Sequence, residues 1–154
     1  MLRYEADLFF TTNKVPHHKS PLETTLECRS LSWVINIIIK PDWEVSYDWD
    51  KTDYTHDKSI LPYAAEIGDS GLIEALIKVK AGIYVQDKYM ETPLHHAAEK
   101  NHLEAVKVLS NAGASPMIID FDQRMPRGCA AQKKHERIID YLLLKEFGYN
   151  IDLD

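Results

Sequence analysis

Three alanine pairs, Ala64-Ala65, Ala97-Ala98 and Ala130-Ala131, recur in this chain at two equal intervals of 33 residues. A period of that length confines the fold closely, because a unit of about 33 residues cannot bury its own apolar face and must stack on copies of itself. Aligned on the pairs, Ser59-Ile60-Leu61-Pro62-Tyr63, Thr92-Pro93-Leu94-His95-His96 and Met125-Pro126-Arg127-Gly128-Cys129 superpose. Further on, Leu72-Ile73-Glu74-Ala75-Leu76, Ala105-Val106-Lys107-Val108-Leu109 and Ile138-Ile139-Asp140-Tyr141-Leu142 superpose too, each apolar at its first, second and last positions. That spacing marks one face of a helix, so each unit reads as two short amphipathic helices. A degraded fourth copy starts at Ser20-Pro21-Leu22 and continues through Leu31, Trp33, Val34 and Ile37. It lacks the alanine pair and begins 39 residues before the next unit, which places an insertion around Pro41 to Asp57.

Each recurring residue type has a mechanical task. Thr92 is suited to cap a helix whose first position is Pro93, where the missing N–H costs nothing. The alanine pair keeps the first helix thin enough for units to stack. Between the two helices the chain must reverse in two or three residues, which favours a left-handed residue at Gly68, Asn101 and Lys134. Lys134 is the departure, and strain or a reshaped turn is expected there. The second helices are expected to close toward Gly82, Gly113 and Gly148.

The stretch TPLHHAAEKNHLEAVKVLSNAGAS, Thr92 to Ser115, resembles the ankyrin repeat. The resemblance runs from about Ser20 to Asp154, strongest in 87–119. It implies an all-α solenoid of about four stacked helix-turn-helix units with β-turn fingers, forming a single domain. Its parts would be an N-terminal cap (1–19), a divergent unit carrying the insertion (20–53) and units at 54–86, 87–119 and 120–154. It further implies a non-catalytic module that binds a partner protein through its fingers and concave face. The family's contact positions fall on Lys88, Tyr89, Glu91, Glu99 and Lys100 in the central unit, and on Phe121, Asp122, Arg124, Gln132 and Lys133 in the last. In the unit before, they fall on Thr55, His56, Lys58, Glu66 and Ile67. Asp57, Met90 and Gln123 stand where the family usually has a finger glycine. His95 matches its motif histidine, which braces adjacent repeats by bonding to backbone.

Other chemistries fare poorly. His95, His96 and His102 invite a metal reading, but adjacent helical residues diverge by about 100° around the axis and nothing completes a tetrahedral set. No metal or other cofactor is expected. Cys129 with His135 could be cast as nucleophile and base of a hydrolase, yet no orienting third group is evident, and a core cysteine is the better reading. No phosphate loop, GxSxG or HExxH is present, so an enzyme is not expected. The net charge of -6 is the wrong sign for capturing a phosphate backbone, which argues against nucleic acid. The longest apolar stretch, Trp33 to Ile39, is far short of the roughly 20 residues that span a bilayer. Glu5 and Asp7 interrupt the first residues where a secretory signal would be apolar, and Cys28 and Cys129 show no disulfide pattern. A cytoplasmic location is the expectation.

Two features remain open. The insertion, Pro41 to Tyr54, interleaves Trp43, Tyr47, Trp49 and Tyr54 with five acids. Trp43 and Trp49 either project as partner-binding anchors or fold back over the first unit. The last helix, Ile138 to Phe147, is apolar on more than one side, which suggests self-association or cover by the tail beyond Gly148. At the other end, Leu8, Phe9 and Phe10 would cap the stack. A regulator that blocks a partner's functional site, such as a pathogen effector acting in host cytoplasm, is the alternative to a simple binding module.

Overall fold

The computed structural model describes Asp50 and residues 58–148. The expected cap, most of the divergent unit and the tail lie outside the described residues, and with them Cys28, Trp43, Trp49, Thr55 and His56. Six helices follow one another in the described chain: α1 (Ile60–Ile67), α2 (Ser70–Lys78), α3 (Pro93–Glu99), α4 (Leu103–Asn111), α5 (Pro126–Gln132) and α6 (Glu136–Glu146). They form three helix pairs at the 33-residue period, with no strand among the described residues. The odd-numbered helices pack in order as one layer and the even-numbered helices as a second.

The alignment positions become the core. Ala64, Ala65, Ala97, Ala98 and Ala130 are fully buried, and so are Leu72, Ile73, Leu76, Ala105, Val106, Leu109, Ile138 and Leu142 of the second helices. Ala131 is the exception. It is exposed, because no described unit stacks on the far side of α5.

The reversals inside the helix pairs share one geometry. Gly68, Asn101 and Lys134 take φ of 76°, 64° and 62°. Lys134 therefore bears strain, but the turn keeps its shape; a side chain at positive φ costs about 1–2 kcal/mol, and the two helices that the turn joins hold it. Gly68 is needed twice over, since a Cβ there would also lie 2.5 Å from Cγ of His102.

At the ends of the second helices the expectation needs correction. Gly113 (φ 101°) and Gly148 (φ 78°) are left-handed as expected, but the equivalent residue of the first described pair is Lys80 (φ 64°), not Gly82. Gly82 serves a different purpose. Its N–H donates to Asp50 Oδ1 at 2.6 Å, and a Cβ at Gly82 would meet Asp50 Oδ2 at 2.5 Å. Asp50 thus comes from the segment read as an insertion, yet it stands 33 residues before Ile83 and lies against the residue next to it.

Between the pairs, each finger is a tight turn. The N–H of Met90 donates to the Asp87 carbonyl at 2.9 Å, and that of Gln123 to the Asp120 carbonyl at 3.1 Å. Met90 and Gln123, in place of the family's glycine, still adopt φ of 60° and 62°. Asp87 and Asp120 hold the turns. Asp87 Oδ1 accepts from the N–H of Tyr89 (2.9 Å) and Glu91 (3.0 Å), and Asp120 Oδ1 from that of Arg124 (2.9 Å).

The two reversal positions give opposed expectations. Gly68→Ala should destabilise the chain by more than about 1 kcal/mol, through positive φ and the clash with His102. Lys134→Gly, in the same turn one layer on, should stabilise it by about 0.5–1 kcal/mol. Urea unfolding monitored by circular dichroism measures both, and matching signs would contradict the account.

Candidate protein-binding surface

Two kinds of side chain line the fingers and the first helices. One kind ties neighbouring units together. His95 is buried on α3; its Nδ1 accepts from the Thr92 N–H at 3.2 Å and lies 2.8 Å from the Thr92 hydroxyl, closing a capping box. That leaves Nε2–H to donate to the Arg124 carbonyl of the next finger at 3.1 Å. Burial pushes its pKa down, against the pull of the Arg124 carbonyl and Asp120, so the ring is held neutral. This is the bracing role implied by the resemblance.

His102 and His135 form a second set of braces that the sequence reading missed. His102 Nε2 meets the Glu66 carbonyl at 3.0 Å, and His135 Nε2 meets the Glu99 carbonyl at 2.9 Å. Each sits at the N-cap of a second helix and reaches to the last turn of the first helix one unit back, α1 for His102 and α3 for His135. Their own spacing of 33 residues was the available sign. The three histidines considered for a metal thus point to three separate partners.

A ladder of ions runs across the first helices. Glu66 Oε2 pairs with Lys58 at 2.6 Å and Oε1 with Lys100 at 3.4 Å; one layer on, Glu99 pairs with Lys133 at 3.6 Å. Burial raises the Glu66 pKa, but the hydrogen bond and charge of Lys58 and the charges of His96 and Lys100 outweigh it, leaving the carboxyl below its usual range. Lys58, Tyr63, Glu66, Ile67 and Lys100 line an open cavity of about 490 Å³ in this face. Arg124 is drawn inward: its guanidinium contacts Asp120 (2.8 Å), Asp122 (3.2 Å) and Glu91 (3.8 Å), with a hydrogen bond to Gln132 Oε1 at 2.9 Å. Glu91, expected at the surface, has a side chain only 13% exposed. Burial raises its pKa, only partly offset by His96, with Asp87, Glu99 and Asp120 adding to the rise.

The other kind of side chain faces outward. Phe121 is 71% exposed, and Tyr89 and Met117 are each 58% exposed, joined by Tyr84, Met90 and Ile119. Adjacent fingers are linked, with the Phe121 N–H donating to the Tyr89 carbonyl at 2.9 Å. Lys88 Nζ lies 5.3 Å above the Tyr89 ring, and the Tyr84 hydroxyl donates to the Gly113 carbonyl at 2.6 Å. The Tyr84 and Tyr89 side chains are thus held by contacts that leave them exposed, and Phe121 is held at its backbone.

Ligand atoms of Asp87, Glu91 and His96, and of Glu91, Asp120 and Cys129, approach within 4.8 Å of one another. Asp87 and Asp120 already accept hydrogen bonds from protein groups, and the Arg124 cation lies beside Glu91 and Asp120. Cys129 is buried, with Sγ 3.7 Å from Asp120 Oδ2, and burial pushes its thiol up to about 12. With His135 committed to the Glu99 carbonyl, the pair is the reverse of an activated nucleophile and base.

A family model described as ankyrin repeats, in three copies, matches residues 48–154. Over 89 residues, 56% of this chain, the sequence is 35% identical to the human transient receptor potential cation channel subfamily A member 1. Over 62 residues, 40% of the chain, it is 39% identical to the Arabidopsis thaliana ADP-ribosylation factor GTPase-activating proteins AGD4 and AGD2. The chain spans 8% of the length of each of these relatives. No helix among the described residues is long and apolar enough to cross a membrane.

Two predictions come from the braces. In the first described pair, Pro62 stands where α3 has His95, and the buried Ser59 hydroxyl has no partner among the described residues. Pro62→His should satisfy Ser59 Oγ and reach the Glu91 carbonyl, stabilising the chain by about 1 kcal/mol in urea unfolding. The second concerns pH. His95 stays neutral in the folded chain while the unfolded chain takes a proton near pH 6.5, so its contribution is complete above about pH 6.5 and is lost as pH falls toward the lowered folded value. Glu91 acts oppositely, because its raised folded pKa favours protonation of the native state. Comparison with His95→Gln isolates the histidine: between about pH 7.5 and 5.5 the wild type should lose more unfolding free energy than the variant.

Proposed function

Because the chain belongs to the ankyrin-repeat family, we propose that it is a non-catalytic binding module that grips a partner protein chiefly through its finger tips. The single observation that carries this is the exposure of Tyr89, Met90 and Phe121 on two linked fingers, with Tyr84, Met117 and Ile119 exposed in the segments that lead into them. Aromatic groups fixed in place lose little entropy on binding and supply large contact areas, which is the profile of residues that dominate interface energies.

The first-helix charges support a smaller share. Glu66, Lys58, Lys100, Glu99 and Lys133 are paired with one another, and a partner that claimed one would have to break an existing pair and desolvate it. Lys100 and Glu99 therefore act at the rim, while Arg124 and Glu91 shape the fingers from within. Lys88 and Asp122 remain at the exposed tips beside the aromatic groups.

Residues 58–148 carry twelve Lys or Arg and twelve Asp or Glu, so the acidity of the whole chain resides outside them. The ladder leaves no continuous basic stripe along the first helices, which supports a protein rather than a nucleic-acid partner. A reducing, cytoplasmic setting is part of the same proposal and suits a buried, free Cys129. The relatives add a further argument. Similar stretches occur in proteins named as a cation channel and as GTPase-activating proteins, so the shared segment suits attachment better than either activity.

Affinity capture with the wild type beside the Tyr89→Ala, Phe121→Ala double variant tests the proposal. Both side chains are exposed, so unfolding free energy should change by no more than about 0.5 kcal/mol each while captured partners are lost. Glu99→Ala with Lys100→Ala should weaken capture far less. An unchanged set of partners with the finger variant would overturn the assignment.

A further inference from the structure

The ring of His96, buried on α3, lies between two carboxylates of its own unit's finger. Nε2 is 3.0 Å from Asp87 Oδ2, and Nδ1 is 3.9 Å from Glu91 Oε2. Asp87 also fixes the finger by accepting the N–H of Tyr89 and of Glu91 through its other oxygen. A neutral imidazole has one proton for its two nitrogens, whereas the cation has one for each. Only the cation attracts both carboxylates. When neutral and donating to Asp87, the ring turns a lone pair toward Glu91.

We propose that His96 is a protonation-dependent latch on the finger Asp87 to Thr92, holding it against α3 when charged and loosening it when neutral. This builds on the finger-tip reading above, because the latched finger carries Tyr89. Beyond Asp87 and Glu91, the groups acting with the ring are Glu66 on α1, which is shared with Lys58 and Lys100, and the neighbouring His95 on α3. Glu99 on α3, Asp120 of the next finger, paired with Arg124, and the neutral thiol of Cys129 on α5 bear on Glu91 instead. Asp87 remains ionised across the range, since burial alone would raise its pKa but the His96 bond and the backbone N–H groups lower it.

The latch can be read without any partner, by following the His96 ring protons and the Tyr89 and Glu91 amides by NMR from about pH 5 to pH 8.5. Both amides should shift with the midpoint of the His96 ring, and their exchange protection should fall about fivefold or more on the neutral side. His96→Gln keeps one donor for Asp87 but cannot be charged, and should abolish the amide transition. Glu91→Gln removes one of the two anions at nearly constant volume and should lower the His96 midpoint. Finger amides that stay flat while the ring titrates would overturn the latch, as would an unchanged midpoint in Glu91→Gln or a retained transition in folded His96→Gln. Loss of the finger-tip reading alone would show instead as unaltered capture by the Tyr89 and Phe121 variant, with these NMR transitions intact.

Discussion

Side chains that reach from one layer to the backbone of the next determine how this molecule is built. His102 bonds to the Glu66 carbonyl, His135 to the Glu99 carbonyl and His95 to the Arg124 carbonyl. Apolar burial drives the layers together, but it is non-directional and would tolerate sliding. A hydrogen bond to a particular carbonyl does not slide. The braces set the register, and the register then places Glu66 beside Lys100 and Glu99 beside Lys133 at equivalent positions. It also brings the Phe121 N–H to the Tyr89 carbonyl, so the outermost part of each finger inherits its position from contacts deep in the stack.

That dependence explains what the sequence disclosed and what it withheld. The alanine pairs and the apolar triplets of the second helices were readable because their task is fixed by the unit itself: thinness, and one buried face. The left-handed turns were readable for the same reason, down to the strain at Lys134. Gly82 misled because glycine was taken as the marker of a helix end, whereas the 33-residue period points to Lys80; Gly82 is small so that Asp50 can approach. His102 and His135 were missed for another reason. Histidine carries several chemistries, and the choice among bracing, metal binding and catalysis depends on which carbonyl lies opposite, a fact of the neighbouring unit. Glu91 and Arg124 were assigned to the surface by position in the finger, and only the buried carboxylate of Asp120, with Glu91 beside it, reveals why Arg124 turns toward the finger's own acids.

The division of labour between paired charges and exposed aromatic groups follows from energy. A surface ion pair contributes at most about 1 kcal/mol, so the ladder adds little to folding, but it keeps the concave helices hydrated and specific. Charge at Glu91 is different, since burial works against it and the charge of His96 offsets that only in part. A finger held by such a buried charge responds to protons, while a finger held by apolar packing would not. The same group of residues therefore gives the fingers both rigidity and a means of losing it.

The far end of the described stack shows how much a layer owes to its ties. Gly128 occupies the position of His95, and Gln132 that of Glu66 and Glu99, so α5 presents neither a forward brace nor an acid for another rung of the ladder. Ala131 is uncovered, Leu143 and Leu144 are half-buried, and Phe147 is exposed. A layer added on this side, from the same chain or from a second copy, would have apolar contact and, of the directional ties, only the Gln132 carbonyl, the counterpart of the Glu66 and Glu99 carbonyls that accept from His102 and His135. With one kind of brace in place of two and no acid for an ion pair, the register is held less firmly, which makes self-association through this face weaker and less specific than the stacking of the units before it. The apolar character of the last helix is thus only part of what a continuing solenoid needs, and most of the directional part is missing.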